Sequence, residues 1–500
     1  MVFDRPSKKE RVVRAADVQE IQMSSFSHGP QAFFNRRQFL AAAGAAAAVT
    51  LPRKTWAWGG GRPPASERIT IGVIGWGMMG PSNTKAFLNE PDCQVVAACD
   101  LDKSHLQKAL DTINEQYGNK DCKGYKDYHE LLARNDIDAV MIAIPDHWHA
   151  IVATEAANRK KDIYGEKPLA RTIAEQQAIV KAVEKNNIIW QTGSWQRSVA
   201  SFHKAAEIVR NGLIGTVTHV EVGLPEGHYD FNGNAPELVK RVAQVSLPDV
   251  INSPAQIVPG TKAWDLAVTP PPEGFDFDTW IGPSKMEPFI AQRVHENWRW
   301  NYNTGAGQLM DWIGHHGDIA HWGLGFDTCG PSEVEGFGDF PAANAVWNTA
   351  TRYTVNCVYK KEVTGYPVDV AMTIAGGSPA IHMGTKWIGT DGWVWVDRSG
   401  FDASNPEWRK WKAVPDNLRK VQLYESKEHR RNFLDCVKSR KPTITPAQVG
   451  HHSTIPGHLG LISMLVGRKL HWDPGTEQIQ NDAEATTLMS RPYRSPYKLA

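Results

Sequence analysis

The feature that most constrains this chain is an apolar segment that runs directly into a glycine-rich turn. Residues 69–74 are apolar and mostly β-branched, which is typical of a buried parallel strand. The run that follows reads Gly75-Trp76-Gly77-Met78-Met79-Gly80. It fits G-x-G-x-x-G, and Pro81 stands where a helix accepts proline at its first position. In such a turn one glycine permits the tight bend, one admits a pyrophosphate, and one lets helix pack on strand.

A second strand supports dinucleotide binding over the alternative that these glycines serve packing alone. Residues 94–99 form another apolar run, which ends in Asp100. That acid lies about 20 residues beyond the glycines, where a ribose-binding carboxylate belongs. We therefore expect the phosphates at the helix start and NAD in preference to NADP. Asp100 would repel a 2′-phosphate, and no arginine follows it, although Lys103 is near in sequence.

Composition excludes several functional classes. The chain has 55 basic and 54 acidic residues, so its net charge of +1 favours neither nucleic acid nor a membrane surface. Its six cysteines form no C-x-x-C pair and are expected to be buried small apolar residues rather than a disulfide framework. The nineteen tryptophans indicate a large core or a cleft with flat faces for sugar rings.

Residues 1–66 are predicted to be a leader rather than part of the fold. Arg36-Arg37 precedes the alanine-rich residues 41–49, which are too few to span a bilayer that needs about 20. This pattern is typical of a Tat export signal, with Thr55-Trp56-Ala57 as cleavage site. The alternative is a soluble alanine-rich helix after a chance arginine pair. We therefore expect the protein to be periplasmic or otherwise exported through the Tat route, and to have no contact with the membrane after the signal is cleaved.

The rest of the chain predicts two α/β domains. Over residues 67–195 strands and helices alternate, which indicates a Rossmann domain with a doubly wound parallel sheet. Ligands bind at the carboxyl ends of the strands in such sheets. Residues 196–500 form the second domain, in which residues 225–300 lack periodicity and are expected to be a long excursion around the site. Segments that alternate around Asp391-Gly392 predict an antiparallel hairpin there.

A lysine follows one of the predicted Rossmann strands. Glu166-Lys167-Pro168 ends the strand, next to the expected nicotinamide position. Pro168 biases Lys167 toward an extended backbone. A lysine held there could bind a substrate hydroxyl and stabilise its developing negative charge. The alternative is a surface lysine ahead of a helix.

A second group of candidate residues lies in the predicted C-terminal domain. Asp311 and His315 are four residues apart, so on a helix they share one face. A carboxylate beside an imidazole orients it and favours its charged form. The pair suits a histidine that takes a proton from an alcohol while a hydride leaves the same carbon. A helix-surface pair or a metal site is the alternative, but spacing supplies no third ligand and we predict no metal.

In this order, the segments GWGMMG with Asp100, IPDHWH, EKPLA and GAGQLMDWIGHHGDIAHW resemble the Gfo/Idh/MocA oxidoreductases. The resemblance covers about residues 67–475. It implies a Rossmann domain followed by an α/β domain with an open, mostly antiparallel sheet that commonly forms an oligomer interface. A homo-oligomer, dimer or tetramer, is therefore expected. The residues 272–283 are similar to those of an exported subgroup with a long insert.

The resemblance also assigns residues. Its catalytic positions correspond here to Lys167, Asp311 and His315. Its dinucleotide-binding positions correspond to Gly75, Trp76, Gly77, Met78, Met79, Gly80 and Asp100. The positions that line its cofactor cleft correspond to Pro145, His147, Glu166 and Lys167.

Three functions remain open at this stage. The resemblance favours an NAD-dependent oxidoreductase that transfers a hydride between a sugar or polyol hydroxyl carbon and the nicotinamide. The alternative is an NAD-dependent glycoside hydrolase, which oxidises a ring carbon, eliminates the glycosidic substituent and then restores the hydride. Relatives with that activity lack the lysine of the EKP motif, which this chain keeps as Lys167. A non-catalytic sugar sensor is disfavoured because Lys167, Asp311 and His315 are all present.

Overall fold

A computed structural model of the 500-residue chain describes residues 62–227 and 257–499. The predicted Tat signal and cleavage site lie outside the described residues, as does part of the predicted excursion, residues 228–256. The domain boundaries at residues 66 and 195 remain predictions. Among the described residues, none of the helices combines the length and the apolar content that crossing a bilayer requires.

The N-terminal part of the described chain is built on a six-stranded parallel sheet of order β3-β2-β1-β4-β5-β6. Its strands are β1 (Ile69–Ile74), β2 (Cys93–Cys99), β3 (Lys123–Tyr125), β4 (Ala139–Ile142), β5 (Asp162–Gly165) and β6 (Trp190–Thr192). The connecting helices are α1 (Gly80–Leu88), α2 (Lys103–Tyr117), α3 (Tyr128–Leu132), α4 (Asp146–Asn158) and α5 (Ile173–Asn186). Apolar clusters cover both faces of the sheet. The predicted doubly wound Rossmann fold is confirmed.

Local sequence signals explain where these helices begin and end. Asp102 caps α2, because its carboxylate accepts the main-chain N–H of Ser104 at 2.7 Å. The helix ends at Gly118, whose φ of 65° lies in the left-handed region. Pro81 occupies the first turn of α1, as its missing N–H allows.

The C-terminal part contains a nine-stranded sheet of order β13-β12-β11-β7-β10-β9-β8-β14-β15. Its strands are β7 (Val217–Leu224), β8 (Glu333–Asp339), β9 (Arg352–Tyr359), β10 (Val370–Gly376), β11 (Gly384–Gly389), β12 (Gly392–Val396), β13 (Phe401–Ala403), β14 (Leu470–Asp473) and β15 (Gln478–Ile479). Only β7 and β10 pair in parallel in the described part of this sheet. The predicted hairpin at Asp391-Gly392 joins β11 to β12. The expectation of a mostly antiparallel second sheet is confirmed.

The helices of this part follow the same chain order. They are α6 (Ala200–Arg210), α7 (Lys262–Ala267), α8 (Phe277–Ile281), α9 (Gly307–Leu324), α10 (Lys361–Thr364), α11 (Glu407–Lys410), α12 (His429–Ser439), α13 (Ala447–His452), α14 (Ile455–Val466) and α15 (Ala483–Thr487). Residues 447–466 form two helices rather than one, because Pro456 starts a new helix. Almost every residue of α9 is buried, so this helix forms the centre of the second core.

Arg197 anchors α9 to the loop after β6. Its buried guanidinium pairs with Asp318 of α9 at 2.8 Å and with Asp327 at 2.7 Å. These opposite charges neutralise one another in the protein interior, so removing one partner would leave an uncompensated buried charge. The pair therefore helps to place α9, which carries Asp311 and His315, against the Rossmann domain.

The described part of the predicted excursion, residues 257–300, is a folded insert. It contains α7, α8 and short 3₁₀ turns. Its aromatic side chains form a small core, to which Leu101 of the Rossmann domain adds: Phe275, Phe277, Trp280, Phe289 and Trp298. The insert therefore packs on the loop that follows β2 and forms one wall of the site described next.

Candidate active site

The three glycines of the turn after β1 have different surroundings. A Cβ on Gly75, whose φ is +96°, would lie 2.3 Å from the carbonyl oxygen of Ala143. A Cβ on Gly80 would lie 2.2 Å from the carbonyl oxygen of Gly75. A Cβ on Gly77 would meet no atom within 4 Å. Close packing thus requires the first and third glycines, whereas the backbone at Gly77 is open to an approaching pyrophosphate, as the motif requires.

Asp100 links this turn to the start of α2. Its Oδ2 accepts the main-chain N–H of Trp76 at 2.7 Å, and its Oδ1 accepts that of Asp102 at 2.9 Å. Burial raises the pKa of the carboxyl group, while the bond from Asp102 opposes this shift. A carboxylate has further lone pairs, so both oxygens retain acceptor capacity for ribose hydroxyls.

A cavity of about 480 Å³ runs along the carboxyl ends of the parallel strands. The glycine turn and Asp100 lie in its wall, together with Lys167 and residues of the insert. Its volume is in the range of cofactor and small-molecule sites. The predicted site residues that line it are Gly75, Gly77, Met78, Met79, Asp100, Pro145, Glu166 and Lys167.

Three predicted cofactor residues lie behind this wall. The indole of Trp76 is buried in the apolar core, and only its main-chain N–H serves the turn. Gly80 packs on Gly75. The buried His147 ring bonds through Nε2 to the carbonyl oxygen of Trp280 at 2.9 Å, and burial lowers its pKa to about 3. The expected cleft-lining position of His147 is therefore not what the structure shows: a neutral imidazole there holds α8 of the insert.

Lys167, in the wall of the cavity, contacts α9. Its Nζ donates to Oδ1 of Asp311 at 2.9 Å and to the main-chain carbonyl oxygen of the same residue at 2.7 Å. Arg299 of the insert also donates from Nε to Oδ1 of Asp311, at 3.1 Å. Burial opposes ionisation of Asp311, but the charges of Lys167 and Arg299 outweigh it and lower the pKa to about 2. Two of the three predicted catalytic residues are thus in direct contact.

His315 does not pair with Asp311, which corrects the expected dyad. Within residues 62–227 and 257–499 there is no hydrogen bond between them, and the buried Nδ1 of His315 has no partner. The two residues share a helix face, but Lys167 and Arg299 draw the carboxylate away. Burial, followed by the positive charges of Lys167 and Arg398, lowers the pKa of His315 well below 6.5. The imidazole is therefore neutral at pH 7, which is the form a proton acceptor needs.

The site also contains residues to which the sequence assigned no role. Arg299 lies in the aperiodic insert, and Arg398 follows β12, so neither belongs to a recognisable motif. Asp146 belongs to IPDHWH and lines the cavity. Burial raises its pKa to about 7, although Arg299 opposes the shift. Of these three residues, only Asp146 lies in a sequence motif, so only Asp146 could have been proposed as a site residue from the sequence.

The insert contacts the start of α2 beside the cavity. Nε2 of His295 lies 3.3 Å from Oδ2 of Asp102, and the N–H of Lys103 donates to the carbonyl oxygen of Gly274 at 3.1 Å. Asp102, His105 and His295 each place one potential metal ligand atom within 4.8 Å of the others. Sequence spacing could not indicate this group, because His295 comes from the insert.

Both domains match sequence profiles of one family. Residues 69–194 match the Gfo/Idh/MocA oxidoreductase family, NAD-binding Rossmann fold. Residues 256–499 match the C-terminal α/β domain of the same family. The chain belongs to the Gfo/Idh/MocA oxidoreductase family. Its N-terminal sheet is therefore an NAD-binding Rossmann domain, in agreement with the open backbone at Gly77.

Curated relatives match only part of the chain. An inositol 2-dehydrogenase of Salmonella typhimurium is 34% identical over 149 residues, which are 29% of this chain and 43% of that protein. A glycosyl hydrolase family 109 protein of Shewanella pealeana is 30% identical over 208 residues, 37% of this chain and 45% of that protein. The chain thus spans less than half the length of these relatives.

Solved structures share the fold over most of the chain. The WlbA dehydrogenase of Bordetella pertussis, solved with NADH and UDP-GlcNAcA, superimposes with a TM-score of 0.54 at 15% identity, covering 81% of this chain and 99% of that one. A levoglucosan dehydrogenase, solved with NADH and levoglucosan, gives 0.53 at 16% identity, covering 81% and 99%. At these identities the similarity concerns the fold alone.

Proposed function

We propose that the protein is an NAD-dependent oxidoreductase that transfers a hydride between a hydroxyl-bearing carbon of a sugar or polyol and the nicotinamide. The observation that carries this proposal is the position of Lys167. Its side chain lies in the wall of the cavity that also contains the glycine turn and Asp100, and Asp311 holds its ammonium in place. A fixed cation at the substrate end of a dinucleotide cleft suits the stabilisation of an alkoxide.

The remaining residues divide the acid–base work. Neutral His315 takes the hydroxyl proton of the substrate, and Lys167 stabilises the negative oxygen that results. Bound NAD supplies the hydride acceptor. Asp311 positions Lys167 and offsets its charge, instead of orienting His315. In the reverse direction the protonated imidazole returns its proton to the carbonyl oxygen.

The direct test is a screen of inositols and pyranosides for reduction of added or bound NAD. We expect formation of NADH that depends on the sugar and that disappears in Lys167→Ala. Binding of sugars without any reduction of NAD would instead support the sugar sensor and contradict this proposal.

The second candidate is the NAD-dependent glycoside hydrolase, which the family 109 relative favours. Retention of Lys167 favours the dehydrogenase. Chromogenic glycosides separate the two, because a hydrolase releases aglycone with no net NADH, whereas a dehydrogenase accumulates NADH with the glycosidic bond intact.

Export and cofactor retention form a linked part of the proposal. Arg36-Arg37 ahead of residues 41–49 supports Tat export to the periplasm, and Tat carries folded proteins. The enzyme would acquire NAD in the cytoplasm and keep it, oxidising one sugar and reducing a second carbonyl compound on the same cofactor. The contacts of the insert with α2 support slow release.

Retention is tested on protein purified and dialysed without nucleotide. A stoichiometric bound nicotinamide, and turnover with paired sugars but no added NAD, are the expected results. Nucleotide-free protein that needs added NAD would contradict retention. Fractionation of cells that express the chain with Arg36→Lys and Arg37→Lys, beside the unchanged chain, tests export separately.

We also propose a homo-oligomer, dimer or tetramer, that associates through the nine-stranded sheet. The support is the exposed aromatic side chain of Phe337 on β8, which is 57% accessible. Light scattering of the wild type and of Phe337→Asp tests this interface. A monomeric wild type would exclude it.

A further inference from the structure

Arg398, in the turn after β12, stacks on two indoles near the predicted base. Its guanidinium carbon lies 4.8 Å from the ring centre of Trp195 and 4.6 Å from that of Trp312. Its Nε and Nη2 both donate to Oε1 of Gln196 at 3.2 Å. Two aromatic faces and one amide oxygen therefore orient the guanidinium, although Arg398 is an exposed residue.

The charge of Arg398 is not neutralised by a carboxylate. Across residues 62–227 and 257–499, it makes no ion pair. Three less exposed arginines do form ion pairs: Arg197 with Asp318, Arg293 with Glu287, and Arg299 with Asp311. Arg398 is thus ordered like a structural arginine but keeps donor capacity and charge for another group.

Arg398 lies near His315, although it is not among the residues that line the cavity. The ring centre of His315 lies 5.2 Å from that of Trp312 and 6.4 Å from that of Trp195, the two indoles on which Arg398 stacks. The positive charge of Arg398 is one of those that lower the pKa of His315. A substrate placed against this base therefore lies within the field of Arg398.

The immediate surroundings of Asp311 carry excess positive charge, whereas the wall of the cavity also contains the carboxyl groups of Glu166 and Asp100. Lys167, Arg299 and Arg398 surround a single ionised carboxylate, Asp311. The nearby carboxyl group of Asp146 has a pKa of about 7, so at neutral pH it is only partly ionised. Such a field favours ligands with a negative charge, and it strengthens at close range where water is excluded.

We propose that Arg398 binds an anionic group of the substrate, so that the substrates of this site are sugars or polyols that carry a carboxylate or a phosphate. A guanidinium forms two parallel hydrogen bonds with either group. This inference rests on the proposed function and narrows its substrate class.

The experiment compares wild type, Arg398→Gln, Arg398→Lys and the control Arg409→Gln, which removes an exposed arginine charge on α11. Each protein is assayed with glucuronate, glucose 6-phosphate and glucose, by reduction of NAD and by quenching of tryptophan fluorescence. A bond to a charged group corresponds to about 10- to 100-fold in affinity. We expect wild type to prefer an acidic sugar by that factor.

The variants distinguish recognition from structure. Arg398→Gln should raise KM for the acidic sugar about 10- to 100-fold relative to KM for glucose, so that the preference for the acidic sugar is lost. Arg398→Lys should recover part of the loss, and Arg409→Gln should behave as wild type. The preference between glucuronate and glucose 6-phosphate identifies the anion as carboxylate or phosphate.

Two results would overturn the anion-site inference and leave the proposed function intact. The first is a wild type that prefers glucose. The second is an Arg398→Gln protein that loses activity equally with acidic and neutral sugars and has a lower thermal stability. Failure of the proposed function has a different signature. Acidic sugars that quench fluorescence in wild type but not in Arg398→Gln, without any reduction of NAD, would retain the anion site and exclude the dehydrogenase.

Discussion

The ammonium nitrogen of Lys167 lies 2.9 Å from Oδ1 of Asp311 and 2.7 Å from the carbonyl oxygen of that residue. This contact joins the end of β5 in the Rossmann domain to α9 in the second domain. Both donors to Asp311 are cations, so its carboxylate is ionised at every pH at which the protein is expected to work. Asp311 therefore fixes the position of the lysine in the wall of the cavity.

Replacing Lys167 with alanine should lower turnover by about 10²–10⁴-fold, because the developing alkoxide loses its cation. The affinity for NAD should change little, since the glycine turn and Asp100 are untouched. Steady-state rates and nucleotide titration measure the two effects. The control Lys108→Ala, on the exposed side of α2, should leave both unchanged. A nearly normal rate in the Lys167 variant would contradict the assignment.

Replacing His315 with alanine should also reduce turnover by about 10²–10⁴-fold with NAD binding intact, because the proton acceptor is lost. Burial and neighbouring cations lower the pKa of His315, so its protonation should reduce kcat/KM only at pH values well below 6.5. The pH dependence of kcat/KM checks this. A loss of activity centred at or above pH 6.5 that vanishes in the variant would show a charged imidazole instead.

Replacing Asp100 with serine should weaken the preference for NAD over NADP by about tenfold, because one charge-assisted bond to the ribose is lost and the repulsion of a 2′-phosphate is removed. Titration of both nucleotides measures the ratio. Thermal unfolding of the variant is measured as a control for lost stability, since Asp100 also accepts hydrogen bonds from the N–H groups of Trp76 and Asp102. Tighter binding of NADP than of NAD by the wild type would refute the preference.

Replacing Asp146 with asparagine should change how stability depends on pH. Burial raises the pKa of Asp146 from 3.8 to about 7, so between those values the native state binds more protons than the unfolded state. The contribution of Asp146 to the free energy of unfolding therefore falls as pH rises through this window. Relative to the variant, wild type should lose up to about 4 kcal/mol between pH 4 and pH 8.

Denaturant unfolding of both proteins at several pH values measures this difference, because titrations common to both cancel. The matched control is Asp111→Asn on the exposed side of α2, for which the difference from wild type should stay constant. A constant difference for the Asp146 variant as well would contradict the raised pKa.

Much of the fold could be predicted because its signals are local. The strand at residues 69–74, the turn at Gly75 and the hairpin at Asp391-Gly392 each depend on residues a few positions apart. The same holds for the position of Lys167 directly after β5. Family motifs extended these signals to the order of the domains.

The partners within the site could not be predicted in the same way. Helical spacing correctly placed Asp311 and His315 on one helix, but it suggested that they bond to each other. Instead, the carboxylate of Asp311 accepts hydrogen bonds from Lys167, which belongs to another domain, and from Arg299, which belongs to an insert without periodicity. Which of several donors an acid meets depends on distances between segments remote in sequence.

The amino-acid sequence by itself thus determined that the chain has a dinucleotide turn, a Rossmann domain and a second α/β domain, because strand, turn and helix signals are carried by neighbouring residues. Only the tertiary structure decided that Asp311 bonds to Lys167, that His315 is a neutral, buried imidazole and that Arg398 lies near it without a carboxylate partner among the described residues. Burial and the charges of distant segments set these properties, and both arise only when the chain has folded.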